Sequence, residues 1–200
     1  MNKTERHRQQ KLTKKTAKNN NPLQSADLTP DHQALNSQQS LSFAIQQHTV
    51  GRLPEAERIY QQLLLADPNH PVALHLLGVI NYQMGKYNVA VDLVTKALNF
   101  KPDYEEAHNS LGLALQGLSR FDEAVNCYQK AIAIKPDFAE AHNNLGLVLQ
   151  GLEKLEDAIQ CYNTALNINP DYAGAHYNLG NALWDKNTGR KEDVIASYQK

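Results

Sequence analysis

Residues 101–134 read KPDYEEAHNSLGLALQGLSRFDEAVNCYQKAIAI, and residues 135–168 read KPDFAEAHNNLGLVLQGLEKLEDAIQCYNTALNI. The two stretches match position by position, so the chain repeats itself every 34 residues. The period extends in both directions, through Gly78, Gly112, Gly146 and Gly180; Ala56, Ala90, Ala124 and Ala158; and Pro68, Pro102, Pro136 and Pro170. Such a period is typical of units that are too short for a core of their own and must stack. The sequence therefore predicts a solenoid that offers a surface, not a globule that encloses an active site.

Each repeat is expected to hold two helices, because its apolar residues recur three and four positions apart. In residues 105–138 these positions are Ala107, Leu111, Leu115 and Leu118 in the first segment, and Ala124, Tyr128, Ala131 and Ile132 in the second. Pro102 cannot continue a helix, and Asp103 is a suitable N-cap for the next one, as is Asp137. Glycine costs about 1 kcal/mol relative to alanine inside a helix. Its recurrence at Gly112 and Gly146 predicts close approach of two antiparallel helices.

The repeats have clear boundaries in the sequence. Four full repeats are predicted at 37–70, 71–104, 105–138 and 139–172, and a partial fifth at 173–200. The fifth has two extra residues in its expected turn, WDKNTGRKEDV at 184–194, which leaves the register of its second helix open. Residues 1–36 contain seven Lys and Arg, three Asp and Glu, and few apolar residues, so we expect a disordered basic tail. Nucleic-acid binding by this tail is the alternative to a solvated tail.

Composition argues against several other classes of protein. No uncharged apolar run approaches the roughly 18 residues of a membrane span. The tail has no apolar h-region of a secretory signal. The two cysteines are too few for a disulfide framework. We therefore expect a cytoplasmic protein that does not contact a membrane.

Three recurring residue types resemble functional motifs, but packing explains each of them better. The pairs Gly112/Gly117 and Gly146/Gly151 lack the Lys-Ser/Thr that a phosphate-binding loop requires. The histidines and cysteines recur with the repeat, so we interpret them as packing residues and not as a metal ladder or a disulfide. They are His108, His142 and His176, and Cys127 and Cys161. No catalytic constellation is found, and we expect no cofactor, no metal and no enzymatic activity within this chain.

The repeats resemble tetratricopeptide repeats. The family pattern is found as His108, Leu111, Gly112, Leu115, Ala124, Tyr128, Ala131 and Pro136, and again as His142, Leu145, Gly146, Leu149, Ala158, Tyr162, Ala165 and Pro170. This resemblance covers residues 37–200. It implies an all-α fold, a right-handed superhelical solenoid of antiparallel helix pairs, whose first helices line a concave groove.

The resemblance also places a candidate peptide-binding surface on the first helices. The residues expected there are His75, Val79, Tyr82, Asn109, Leu113, Gln116, Asn143, Asn144, Leu147, Gln150, Tyr177, Asn178, Asn181 and Trp184. The set is nearly uncharged, and carboxamides can both donate to and accept from a peptide backbone. The alternative is that these carboxamides are only solvated surface groups. The expected partner is an extended, fairly neutral segment of a client protein, and nucleic acid is not the expected ligand.

Two functions follow from these observations. The first is a protein–protein interaction scaffold. The second is suggested by Asn144-Leu145-Gly146 and Asn178-Leu179-Gly180, which resemble the asparagine-lined repeats of O-linked N-acetylglucosamine transferases. In that case the array is the substrate-docking region of such an enzyme, or of a sulfotransferase, with the catalytic domain beyond Lys200. Because the fifth repeat is incomplete, we expect further repeats, a catalytic domain or a partner at that end.

Overall fold

A computed structural model describes the backbone of residues 30–198 and the side chains of residues 37–186. The regular structure of this part is entirely α-helical, which confirms the predicted all-α solenoid. The helices are α1 (Pro30–Thr49), α2 (Leu53–Ala66), α3 (Pro71–Gln83), α4 (Tyr87–Phe100), α5 (Glu105–Gly117), α6 (Phe121–Ile134), α7 (Ala139–Gly151), α8 (Leu155–Ile168) and α9 (Ala173–Tyr198). No helix in the described part has the length and apolar character needed to cross a membrane.

The chain divides into two compact segments, residues 1–39 and 40–200. The described part of the first is the beginning of α1, which starts at Pro30, before the predicted tail boundary at residue 36. The rest of the predicted basic tail, residues 1–29, lies outside the described residues, as does its alternative role in nucleic-acid binding. All contacts discussed below belong to the second segment.

Helices of the second segment alternate between two layers. Within a repeat, α3 packs on α4, α5 on α6, and α7 on α8. The first helices also contact one another in succession, α3 with α5, α5 with α7, and α7 with α9, whereas no comparable contact joins α4 to α6 or α6 to α8. The first helices therefore form one continuous layer.

Close approach of the two helices in a repeat depends on glycine. A Cβ atom added at Gly112 would lie 2.6 Å from Cε1 of Tyr128, and one added at Gly146 would lie 2.6 Å from Cε1 of Tyr162. Both tyrosine side chains are completely buried. The packing role predicted for the helical glycines is thus confirmed.

The turn inside each of the first four repeats uses one residue in the left-handed conformation. It falls at the same repeat position every time, at Gly51, Gly85, Ser119 and Glu153, with φ angles of 78°, 74°, 59° and 61°. In the third repeat the backbone N–H groups of Ser119 and Arg120 donate back to Gln116 and Leu115. These bonds close the first helix and redirect the chain into the second.

The predicted N-caps Asp103 and Asp137 are wrong. Helix α5 begins at Glu105 with Tyr104 in the N-cap position, and α7 begins at Ala139 with Phe138 there; neither makes a side-chain cap bond. The reason is visible at Tyr104, which is 8% exposed and packs against Val94 and Ala107. Burial of this ring, not a capping carboxylate, sets where the helix begins.

The turn expected within residues 184–194 is also wrong, because α9 runs through it without interruption to Tyr198. Asn187 is equivalent to the left-handed positions of the other repeats, yet its backbone is helical. Among the described residues no atom lies within 4 Å of the Cβ position of Gly180, where the other repeats place a side chain of their second helix. Without that packing nothing offsets the roughly 1–2 kcal/mol cost of a left-handed non-glycine residue.

Candidate protein-interaction face

Hydrogen bonds between side chains join each first helix to the next, and they follow a fixed rule. Each connects a residue to the one 35 positions later, one position beyond the repeat period. They are His75 Nε2 with Ser110 Oγ at 2.9 Å, Asn144 Nδ2 to Asn109 Oδ1 at 3.1 Å, and Asn178 Nδ2 to Asn143 Oδ1 at 2.9 Å. We call these the inter-repeat bonds, and we call the surface of α3, α5, α7 and α9 that carries them the inner face.

The same 35-residue offset recurs near the other end of the first helices. His48 Nε2 lies 3.2 Å from Gln83 Oε1, and Gln150 Nε2 donates to Asp185 Oδ2 at 2.8 Å. Gln150 is also tied to its own repeat, because Oε1 accepts from the hydroxyl of Tyr162 at 2.9 Å. A glutamine side chain held at both ends loses little freedom when a further partner binds.

His75 is a buried member of this network. It is 5% exposed, and Nδ1 lies 3.0 Å from the hydroxyl of Tyr104 while Nε2 faces Ser110. Burial, assisted by the charge of Lys101, lowers the pKa of His75 to about 4. Burial also raises the pKa of Tyr104 to about 12. Both groups are therefore uncharged near neutral pH, and the contact of His75 with Ser110 joins the second repeat to the third.

The residues predicted from sequence differ in burial and fall into three groups. His75 and Asn143 are buried at 5% each, within contacts between repeats. Leu147 is 37% exposed, Tyr177 and Trp184 are each 71% exposed, and Asn181 is also exposed. The remainder are partly buried: Val79, Tyr82, Asn109, Leu113, Gln116, Asn144, Gln150 and Asn178. Sequence reasoning missed the partners Gln83, Ser110 and Asp185, which the 35-residue offset would have identified.

The inner face carries little charge. Helix α3 has no charged residue, and the charged residues of α5 and α7 are Glu105, Glu106 and Glu140, all in the first turn. No lysine or arginine lies in these three helices. Helix α9 adds Asp185, which accepts a hydrogen bond from Gln150. Along α3, α5 and α7 an anionic ligand would meet no lysine or arginine of these helices, whereas a neutral segment would meet amide groups and apolar side chains.

The recurring histidines and cysteines have structural contacts. Nε2 of His108, His142 and His176 bonds to the carbonyl oxygen of the proline six residues earlier, at 2.9, 3.0 and 2.8 Å. His108 is buried and His142 partly buried, whereas His176 is exposed. Cys127 and Cys161 are free thiols in one core cluster, which confirms their packing role. Burial raises the pKa of Cys161 to about 11, so its thiol stays protonated near neutral pH.

Comparison with known proteins identifies the repeat. A family model described as TPR repeat matches residues 117–153 and 152–187, and one described as anaphase-promoting complex, cyclosome, subunit 3 matches residues 50–131. The crystal structure of MamA is similar, with 27% identity over 78% of this chain and 90% of that chain and a TM-score of 0.64. The chain is a tetratricopeptide repeat protein.

Two further structures resemble this tetratricopeptide repeat protein. An O-GlcNAc transferase mutant from Thermobaculum terrenum has 25% identity over 70% of this chain, with a TM-score of 0.66, but the match spans only 27% of that enzyme. A thermophilic TPR protein from Thermus thermophilus shares the fold, with 22% identity, coverage of 82% and 88%, and a TM-score of 0.67. No curated protein matches the chain significantly.

A tetratricopeptide array is a protein–protein interaction scaffold, and its fold is typical of non-catalytic proteins. Within the described residues no three histidine, cysteine or acidic side chains are grouped as a metal site. The groups that the predicted residues of the inner face present are mainly carboxamides and apolar side chains.

Proposed function

We propose that this tetratricopeptide array binds an extended, uncharged polypeptide segment of a client protein along the inner face. The observation that carries the proposal is the row of asparagine side chains, fixed by the inter-repeat bonds, on a surface whose helices α3, α5 and α7 contain no lysine or arginine. Neighbouring packed helices lie about 8–10 Å apart. An extended chain covers that distance in about three residues. The two asparagine pairs, at the junctions of the third with the fourth repeat and of the fourth with the fifth, can therefore contact the peptide backbone about three residues apart.

The asparagines keep hydrogen-bonding capacity for a ligand. A carboxamide has two N–H donors and an oxygen with two lone pairs. In its inter-repeat bond Asn144 uses one N–H, and Asn109 uses its oxygen. The remaining groups of both residues can pair with backbone C=O and N–H groups, which are the same in every peptide. Because the carboxamides are already oriented, binding requires little further ordering of these side chains.

Apolar contact would come from the exposed large side chains of the same face. Leu147 is 37% exposed on α7, and Tyr177 and Trp184 are each 71% exposed on α9. Aromatic residues of this kind frequently contribute much of the energy in protein interfaces. These exposed side chains favour a client segment that places apolar residues against the fourth and fifth repeats.

A binding experiment with a matched control tests this proposal. Peptides selected from a random display library on the wild-type chain are measured by fluorescence anisotropy against Asn144→Ala/Asn178→Ala. The control is Asn126→Ala/Asn163→Ala, which removes two carboxamides from the second helices α6 and α8. We expect at least roughly tenfold weaker binding for the first pair and no change for the second. Equal affinity for the two double variants would overturn the proposal.

A second variant separates ligand contact from stability, because Asn144 and Asn178 also join repeats. Leu147→Ala removes an exposed side chain and leaves the inter-repeat bonds intact. We expect weaker peptide binding with an unchanged thermal unfolding midpoint. Retained affinity in Leu147→Ala would remove the apolar part of the proposal.

The second candidate function is substrate docking for a protein O-linked N-acetylglucosamine transferase. It is supported by the similarity to the Thermobaculum terrenum enzyme and by the asparagines of α7 and α9. The test is the coding sequence downstream of Lys200. A glycosyltransferase domain there supports this candidate, and further repeats followed by a polar capping helix contradict it.

A further inference from the structure

Helix α9 exposes a face that is covered in the preceding repeats. Above Gly78, Gly112 and Gly146, a side chain of the second helix comes within 2.6 Å of the Cβ position, whereas at Gly180 no atom of the described part of the chain lies within 4 Å. One turn further along α9, Leu183 is 44% exposed, although its equivalent Leu115 is 3% exposed. The first half of α9 therefore presents an apolar face with a notch at Gly180.

The other repeats show what kind of element covers this face. In each of them it is an antiparallel helix that places Val94, Tyr128 or Tyr162 over the glycine. Residues 191–198 read KEDVIASY and align with LEDAIQCY at 155–162, so Tyr198 has the sequence register of Tyr162. This stretch is thus the matching second helix by its sequence.

The stretch cannot cover Gly180 of its own chain while α9 is continuous. Helix α9 extends from Ala173 to Tyr198. At 1.5 Å per residue, the backbone of residue 198 lies roughly 27 Å along the helix axis from that of residue 180. The covering element must come from elsewhere.

We propose that a second copy of this chain covers the face, through antiparallel pairing of the two α9 helices. Residue 198 of each copy lies over Gly180 of the other, and the two-fold axis passes residue 189, midway between them. In this register position 183 faces 195 and position 187 faces 191. These positions, with 180 and 198, lie three or four residues apart and therefore share one side of a helix. The contact is self-complementary, as a two-fold interface requires.

The sequence is compatible with this pairing. It sets Leu183 against Ile195 at both ends of the contact and Asn187 against Lys191 near the axis. By register, the contact contains two apolar pairs and two glycine–tyrosine pairs around a polar centre. A dimer of this kind joins two arrays through their fifth repeats.

The oligomeric state of the full 200-residue chain is the first test. Sedimentation equilibrium should give about twice the 22.4 kDa mass of one chain. Tyr198→Ala should raise the dimer dissociation constant by roughly tenfold or more, because position 198 is opposite Gly180 at both ends of the proposed contact. The control Leu65→Ala, which truncates a leucine of α2 that is 84% exposed, should leave it unchanged. A monomer at ~0.1 mM, or a dimer unaffected by Tyr198→Ala, would overturn the proposal.

Disulfide trapping distinguishes a second copy from refolding within one chain. Cysteines are introduced by Gly180→Cys and Tyr198→Cys after the native Cys127 and Cys161 are replaced by alanine. Oxidation should yield a covalent dimer on a non-reducing gel. A cross-linked monomer would mean that residues 191–198 fold back on their own α9, and it would refute the proposal.

Discussion

The hydroxyl group of Tyr128 donates a hydrogen bond to Oε1 of Gln116 at 3.0 Å, across the two helices of the third repeat. Tyr60 has the equivalent position in the first repeat, but its hydroxyl is buried without a partner in the described structure. The position equivalent to Gln116 in the first repeat is 48. It is occupied by His48, whose side chain pairs with Gln83 instead. The same buried tyrosine thus has a hydrogen-bonded hydroxyl in the third repeat and, in the described structure, an unpaired one in the first.

This difference predicts opposite effects of the same substitution. Tyr128→Phe should lower the free energy of unfolding by about 1 kcal/mol, because it removes a hydrogen bond. Tyr60→Phe removes an unsatisfied buried hydroxyl, so stability should stay the same or increase. Urea unfolding followed by circular dichroism measures both. A greater loss for Tyr60→Phe would show that its hydroxyl has a partner in solution.

Two glycines of α7 should respond differently to alanine. A Cβ at position 146 would lie 2.6 Å from Cε1 of Tyr162, whereas one at position 151 would meet nothing within 4 Å. Gly146→Ala should therefore cost about 1–3 kcal/mol through overpacking. Gly151→Ala should raise stability by up to about 1 kcal/mol, because alanine favours the helix. Thermal unfolding distinguishes the two, and equal midpoints would contradict the close contact at Tyr162.

The left-handed residues are expected sites of stabilisation. Ser119 and Glu153 have φ angles of 59° and 61°, which are unfavourable for residues with a Cβ. Ser119→Gly and Glu153→Gly should each raise the free energy of unfolding by roughly 0.5–1 kcal/mol, after the greater entropy of unfolded glycine is subtracted. The control Asn163→Gly, at an exposed helical position of α8, should lower it. Destabilisation at all three positions would show that strain at 119 and 153 is negligible.

Acidification should weaken the contact between the second and third repeats through His75. Its pKa of about 4 in the folded state lies below the usual 6.5, so the unfolded chain binds the proton more tightly. The contribution of His75 to the free energy of unfolding is therefore complete above pH 6.5. It decreases by about 3 kcal/mol in all as the pH falls toward 4. Urea unfolding at a series of pH values should show this slope in the wild type and a smaller one in His75→Gln. Identical slopes would exclude His75 as the responsible group.

Binding of a neutral peptide to the inner face should depend little on salt. Helices α3, α5 and α7 contain no lysine or arginine, so few charge interactions are available for screening. We expect less than about a twofold change in the dissociation constant between ~0.05 and ~0.5 M NaCl. A steep loss of affinity with salt would indicate that the ligand contacts charged residues elsewhere.

Most of the fold was predictable from the sequence, because packing within a repeat recurs with the sequence itself. The contact of Gly112 with Tyr128 follows from one small and one large residue at repeating positions. The inter-repeat bonds were not predicted, since they depend on the one-residue offset between stacked first helices. The left-handed turns at Ser119 and Glu153 carry no glycine signal, and their conformation is set by tertiary packing. The continuous α9 was missed because a turn was inferred by analogy with repeats whose second helix folds back.

The offset of the inter-repeat bonds determines which repeats can be duplicated. A second copy of residues 139–172 inserted after the first would place Asn143 beside the new Asn144, the same pair that other junctions use. A second copy of residues 71–104 would place His75 beside Leu76, which offers no side-chain hydrogen-bonding group in place of Ser110. The array can thus lengthen by copying its fourth repeat, whereas its second repeat is suited to one position only.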